Sequence, residues 1–220
     1  MAKVVSNKNE SVRMFENPIL ERFSHIHPAT PIVFWTPVIL YFAYLGAQQL
    51  NALSFTASFL DGVLFWTFLE YTLHRFAFHY KPSSKAGKRF VFLVHGVHHD
   101  YPRDATRLVM PLGASIPLAI VFYALFTKAL GPFAQAAFSG LVSGYLAYDC
   151  LHFAFHHFAM KGKIASYLKA YHLKHHYVNP DSGYGVSNPL WDVVFRTLPQ
   201  ANHMNANDLE NLDQGYKKAA

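Results

Sequence analysis

The sequence predicts an all-α integral membrane fold: four transmembrane helices arranged as two hairpins, with a helical cap gathered on one side of the bilayer. Three observations predict it. Only 15% of the 220 residues are charged while 52% are apolar, and soluble domains carry about 25% charge, so there is too little charge to cover a water-facing surface. Four stretches approach the roughly 20 apolar residues that a helix needs to cross a bilayer core about 30 Å thick. The histidines and most of the basic residues sit at the ends of those stretches and beyond them.

In chain order, residues 1–30 begin with a polar, mixed-charge segment through Glu16 that lacks the apolar core of a secretory signal. They read as a solvated cytosolic tail followed by an amphipathic segment. The apolar stretches then run Pro31–Leu50 and Ala52–Leu73, turning near Asn51, and Val109–Leu130 and Pro132–Leu151, turning at Gly131-Pro132. Pro37, Asp61 and Pro117 interrupt them, which a bundle tolerates when neighbouring helices satisfy the freed groups. Residues 31–201 form the functional unit, and the Asn-rich stretch 202–220 reads as a polar tail.

Charge sets the orientation. Lys81, Lys85, Lys88, Arg89, Arg103 and Arg107 lie between the hairpins, and Lys161, Lys163, Lys169 and Lys174 follow the second one. The hairpin turns carry almost no charge, with Lys128 the exception, so the positive-inside rule puts both termini and both basic segments in the cytoplasm. A bacterial inner membrane or the endoplasmic reticulum would both fit. A soluble bundle with the same buried helices would not concentrate its charge in this way.

The net charge of +6 comes without a basic run interleaved with aromatics, which excludes nucleic acid as a partner. One cysteine, Cys150, excludes an intrachain disulfide, a Cys-ligated zinc site and a four-Cys iron–sulfur cluster within one chain.

Eleven of the 14 histidines fall into four clusters: His74 and His79; His95, His98 and His99; His152, His156 and His157; His172, His175 and His176. Residues three and four apart share a helix face, so His95, His98 and His99 are expected to converge on one point, as are His172, His175 and His176. His156 shares the face of His152, whereas His157 is turned about 140° away at roughly 3.6 residues per turn. His74 and His79, five apart, are expected to straddle a helix end or to approach two metals from different sides. Ten ligands result: His74, His79, His95, His98, His99, His152, His156, His172, His175 and His176. One metal accepts at most about six ligands, so ten imidazoles imply two ions; iron, zinc, copper and nickel all suit them. His25, His27 and His203 read as ordinary core or surface residues.

Ligating imidazoles hand their other nitrogen to a carboxylate or carbonyl, and Glu70, Asp100, Asp149 and Asp192 are the acids placed to accept it. Asp149 stands out because an unpaired acid at the end of a membrane helix is costly. With its neighbour Tyr148 it is a candidate catalytic residue. Phe65, Trp66, Phe68, Phe153 and Phe155 are candidates for an acyl slot, or else plain helix packing. Ser182 and Ser187 read as loop residues near Gly183 and Gly185.

The motifs LEYTLHRFAFH, LVHGVHHDYPRDATRLVMP, GYLAYDCLHFAFHH, YLKAYHLKHHY and GYGVSNPLWDVVFRTLP follow one another over Phe15–Pro199. In that order they resemble the membrane fatty acid hydroxylase superfamily, and within it the fatty acid 2-hydroxylases. The resemblance implies a four-helix anchor under a cytosolic cap holding a histidine-rich dimetal centre, with iron in the active form and zinc able to occupy the sites of isolated protein. It further implies O2-dependent hydroxylation of the carbon next to the acyl carboxyl of a fatty acid or ceramide. Many eukaryotic members carry a fused cytochrome b5 domain with an HPGG motif, and this sequence has none. A separate electron donor is therefore expected, a cytochrome b5 or a ferredoxin with its reductase, docking on the basic cytosolic face. The rivals are a desaturase, a sterol or alkane oxidase and a carotenoid hydroxylase, or, outside enzymes, a metal transporter. A transporter would need its polar ligands deep within the spans.

Overall fold

The computed structural model describes residues 4–200 together with Leu209 and Asn211. Among the described residues every regular element is helical. Three helical runs, Thr30–Gln49, Ala52–Phe78 and Leu112–His157, are long and apolar enough to cross a membrane. The last consists of two helices broken at Gly131–Phe133, so four long helices make up the bundle: α2 (Thr30–Gln49), α3 (Ala52–Thr72), α6 (Leu112–Leu130) and α7 (Ala134–His157). Short helices complete the order: α1 (Pro18–Phe23), α4 (Lys85–Val91), α5 (Val97–Asp100), α8 (Lys163–Tyr177) and α9 (Leu190–Val194).

Local chemistry sets the boundaries. Pro31 stands in the first turn of α2, where its missing N–H costs nothing. Asn51 caps α3, its side chain accepting from the Ser54 N–H at 2.9 Å. Gly131, at φ 53°, makes the turn between α6 and α7.

The centre of the bundle is α7, buried along most of its length between α2 and α3. Small residues let these helices touch backbone to backbone, as they do in membrane interiors. A Cβ at Gly140 would sit 1.9 Å from the Phe59 carbonyl oxygen, and one at Gly62 would sit 1.9 Å from that of Ala137. Trp35 and Trp66 pack edge-on against Tyr145 above this contact, at 5.9 and 5.3 Å. On the outer faces Leu40, Tyr44, Leu53, Leu60, Ile120 and Leu125 are exposed, as expected of surfaces that meet lipid.

The N-terminal segment is largely exposed, yet it is tied to the rest of the chain at several points. Val5 and Ser6 donate their N–H groups to the Asp100 carbonyl at 2.9 and 3.1 Å. Asn9 accepts from the Ala105 N–H, Arg89 holds the Met14 carbonyl, and Met14 is buried. A strand of polar residues can lie across a cap when the cap supplies partners for its backbone. Most of 202–220 lies outside the described residues; Leu209, from that stretch, is fully buried with Leu173 and Tyr177.

Candidate metal centre

The bundle delivers its histidines through two uncommon local structures. Where α3 ends, the backbone widens into a π-helix over Leu73–Phe78, and the His79 N–H donates to the His74 carbonyl at 3.1 Å. An i→i+5 turn brings residues five apart onto one face. His79 caps that helix end, and both residues face the same point; the alternative of two metals approached from different sides does not hold. A second π-helix, Phe92–Gly96, leads into α5 and carries His95.

The ten histidines form two groups of five, with the ligand nitrogens of each group within 4.8 Å of one another. One group is His74, His79, His95, His99 and His175, and the other is His98, His152, His156, His172 and His176. This corrects the expectation that each tight cluster converges on one point. On a helix, residues four apart differ by about 40° and residues three apart by about 60° in the opposite sense. His95 and His99 therefore enter one group while His98 enters the other, and His172 and His176 part from His175 in the same way. The groups abut: the rings of His99 and His176 stack at 4.2 Å. His157 belongs to neither group and stacks on Phe153 at 4.3 Å. His25 binds Thr106 at 2.7 Å, and His203 lies outside the described residues.

In each group the Nε2 atoms turn inward. His74 Nε2 lies 3.0 Å from that of His95 and 3.2 Å from that of His79; His175 Nε2 lies 3.0 Å from that of His79. In the second group His98 Nε2 is 3.0 Å from His176 Nε2 and 2.8 Å from His152 Nε2, and the His156–His172 pair is at 2.9 Å. In the first group these contacts cannot all be hydrogen bonds. A neutral imidazole has one N–H, and His74 and His175 spend theirs at Nδ1, donating to the carbonyls of Tyr184 at 2.5 Å and Ser182 at 2.8 Å. Their Nε2 lone pairs are thus left as acceptors facing the other rings of the group. Adjacent corners of a metal shell with metal–nitrogen bonds of roughly 2.0–2.1 Å lie about 3 Å apart, which matches, so each group fits one metal ion.

Burial favours the ligating, neutral form. It is the main cause that holds His175 at about 3, with His79 adding to it, and the main cause that holds His79 at about 3, with His74 and Lys81 adding. His95, His98, His99, His172 and His176 are pushed well below their usual range, again by burial first and by neighbouring imidazoles second.

Glu70, Asp149 and Asp192 spend their contacts elsewhere than on the histidine N–H groups that the sequence offered them. Glu70 accepts from the Val186 and Ser187 N–H groups at 2.5 and 2.7 Å and from the Ser187 hydroxyl at 2.5 Å. Asp192 accepts from the N–H groups of Tyr184 and Gly185 at 3.0 and 2.7 Å. Both carboxylates pin the 182–188 loop, and the loop's carbonyls orient His74 and His175. Asp149 is buried and takes long contacts from the Met110 N–H, at 3.3 and 3.4 Å.

A cavity of about 540 Å3 reaches both groups through His95, His98 and His152, and Tyr148 and Asp149 line it beside them. Its other walls are mainly apolar, including Phe78, Leu93, Leu108, Val109 and Met110. Of the five aromatics that were candidates for an acyl slot or for plain helix packing, none lines this cavity. Phe65 packs on Phe126 at 5.5 Å, Phe68 on Trp191 at 4.9 Å, and Phe153 on His157. Phe155 is fully buried near His172, and Trp66 lines a smaller cavity deeper in the bundle.

The profile of the fatty acid hydroxylase family matches residues 59–197. The chain is 39% identical over 198 residues to a dihydroceramide fatty acyl 2-hydroxylase of Arabidopsis thaliana, covering 86% of this chain and 81% of that one. It is 35% identical over 218 residues to the fatty acid 2-hydroxylase of Mus musculus, covering 87% and 58%. It is 41% identical over 169 residues to the ceramide very long chain fatty acid hydroxylase of Saccharomyces cerevisiae, covering 75% and 44%. A solved structure of full-length scs7p, in which only the hydroxylase domain is visible, superimposes with a TM-score of 0.79 at 39% identity, covering 85% of this chain and 72% of that one.

Proposed function

This chain belongs to the fatty acid hydroxylase family, and on that premise we propose that it hydroxylates C2 of an acyl chain, in a fatty acid or in the N-acyl group of a sphingolipid such as ceramide. The observation that carries the reading is the cavity: a mainly apolar chamber whose wall includes His95 of one five-histidine group and His98 and His152 of the other. Iron bound there would supply O2 activation, and the overall reaction consumes O2, two electrons and two protons to leave one oxygen atom on C2 and one in water.

The residues of the chain divide the remaining work. Loop carbonyls at Ser182 and Tyr184 aim two ligands, and Glu70 and Asp192 hold that loop. The apolar walls take the acyl chain and keep water from the reacting carbon. Tyr148 and Asp149, beside His152 on the wall, orient the acyl carbonyl so that C2 faces the histidines. The four long helices cross the bilayer, the rest of residues 31–201 forms a cytoplasmic cap, and a separate donor, a cytochrome b5 or a ferredoxin with its reductase, docks on the cap's basic surface. Both termini then lie in the cytoplasm.

The test is a lipid extract read by mass spectrometry from cells making the intact chain or a His98→Ala, His175→Ala variant, which removes one nitrogen from each group. 2-Hydroxy acyl lipids should appear only with the intact chain, whose purified form should hold two metal ions. A new double bond or an altered sterol in place of the 2-hydroxyl would sink the reading and name its replacement.

A further inference from the structure

Two more cavities follow the first along α6. One of about 50 Å3 shares Met110 and Leu118 with the cavity at the histidines, and one of about 200 Å3 shares Trp35 and Ala119 with the second. On α6 the lining residues descend from Ala114 through Leu118 and Ala119 to Tyr123, nine residues or about 14 Å at roughly 1.5 Å per residue. The last cavity has no charged residue in its walls and opens between α2 and α6, where Ile120 is 64% exposed.

The space exists because α6 stands off from the bundle. It meets its neighbours chiefly through α7, and it reaches α2 and α3 by the tips of long rings: Tyr123 on Phe42 at 4.8 Å, Phe126 on Phe65 at 5.5 Å and Phe122 on Phe65 at 6.1 Å. Helices that meet by ring tips leave room between their backbones that helices meeting at glycine do not.

We infer that the acyl tail of the substrate leaves the metal-site cavity along α6 and emerges into the bilayer between α6 and α2, with Ala119 and Trp35 forming the passage that sets which chain lengths are accepted. The inference rests on the hydroxylase reading. It adds a specificity-determining pair and an open end: a tail that runs out into lipid meets no terminal wall, so long chains are accommodated. Ala119 is small enough to let the tail pass Trp35, and a large side chain there closes the way.

The experiment uses the full chain in proteoliposomes with its electron donor system and a mixture of short- and very-long-chain acyl substrates. Ala119→Trp should lower the ratio of very-long-chain to short-chain 2-hydroxy product roughly tenfold or more, the range in which added bulk changes a hydrophobic pocket's selectivity. Leu125→Trp, on the lipid-exposed part of α6 and outside all three cavities, should leave the ratio as it is. An unchanged ratio in Ala119→Trp overturns the inference while leaving hydroxylation in place. A binding measurement that needs no turnover separates the two readings. A substrate with a photoreactive diazirine at the tail end should label Ile120 and Tyr123, and labelling confined to the walls near Leu93 and Leu108 would overturn the tail's course even in an inactive preparation. Equal labelling of Ile120 and Tyr123 by a diazirine phospholipid that is not a substrate would overturn it too, making the gap an ordinary lipid-facing groove.

Discussion

The two sides of α7 are built on opposite principles. Toward α3, the chain uses Gly62, Gly140 and Gly144 so that no Cβ keeps the backbones apart, and the carbonyls of Phe59 and Ala137 occupy the space a methyl would need. Toward α6, aromatic side chains such as Tyr123 on Phe138, at 5.1 Å, come between the helices, and cavities lie beside them. The tight side carries His74 at its end of α3 and His152 and His156 at the end of α7, where ligands must hold position to fractions of an ångström. The loose side carries no histidine and offers room for a flexible chain. On the proposed function, rigidity is placed where coordination would need it, and slack where an acyl tail would slide.

The hardest blow to this division is Gly140→Leu. Backbone oxygen at 1.9 Å from the new Cβ cannot rotate away, so α3 and α7 must separate and the two histidine groups with them. The expected outcome is loss of metal-loaded, monodisperse protein, read by size-exclusion chromatography and metal analysis. Normal metal content in that variant would mean the tight contact is dispensable.

Acid is expected to act next most strongly, at the histidine end. His79 and His175 are held at about 3 in the fold against 6.5 for a free imidazole, so between those values the unfolded chain binds more protons than the folded one. Their contribution to stability is therefore complete above pH 6.5 and declines as the pH falls from there toward 3. Metal release and a falling Tm should set in below pH 6.5 while the far-ultraviolet signal of the long helices persists. A Tm that stays flat over the same interval would contradict the burial of these rings.

The smallest effect sharpens the contrast from the other side. Gly113 lies in the first turn of α6, and nothing stands within 4 Å of the place an added methyl would take. Gly113→Ala should therefore raise stability by about 0.5–1 kcal/mol through reduced freedom of the unfolded chain. A thermal melt checks the sign, and a lower Tm would show that α6 is packed more closely than its cavities imply.

Much of this molecule is legible in the linear sequence. Apolar runs locate the four long helices to within three residues at every end but one, since hydrophobic length is a property of consecutive side chains; α7 runs six residues past Leu151, to His157. The ten histidines can be selected by spacing because each arrives with a local partner. Three things were hidden. The π turn at Leu73–Phe78 explains the five-residue spacing of His74 and His79, but a single wide turn leaves no mark in composition. The carbonyls of Ser182 and Tyr184 serve as acceptors for His175 and His74, and a carbonyl belongs to every residue, so no side-chain pattern announces it. Glu70 looked like a partner for His74 four residues on, yet it reaches across 116 residues to the Val186 N–H.

The sequence by itself determined the all-helical class, the candidate donor atoms and their concentration at the helix ends, because these follow from the identity of neighbouring residues. Only the tertiary structure decided which histidine joins which group and where the cavities run. Residues three and four apart diverge by about 100° around a helix, so the partition of His98 from His95 and of His175 from His172 depends on how each helix is rotated against the others. The gap beside α6 depends on the distance between helix axes, which contacts remote in sequence set.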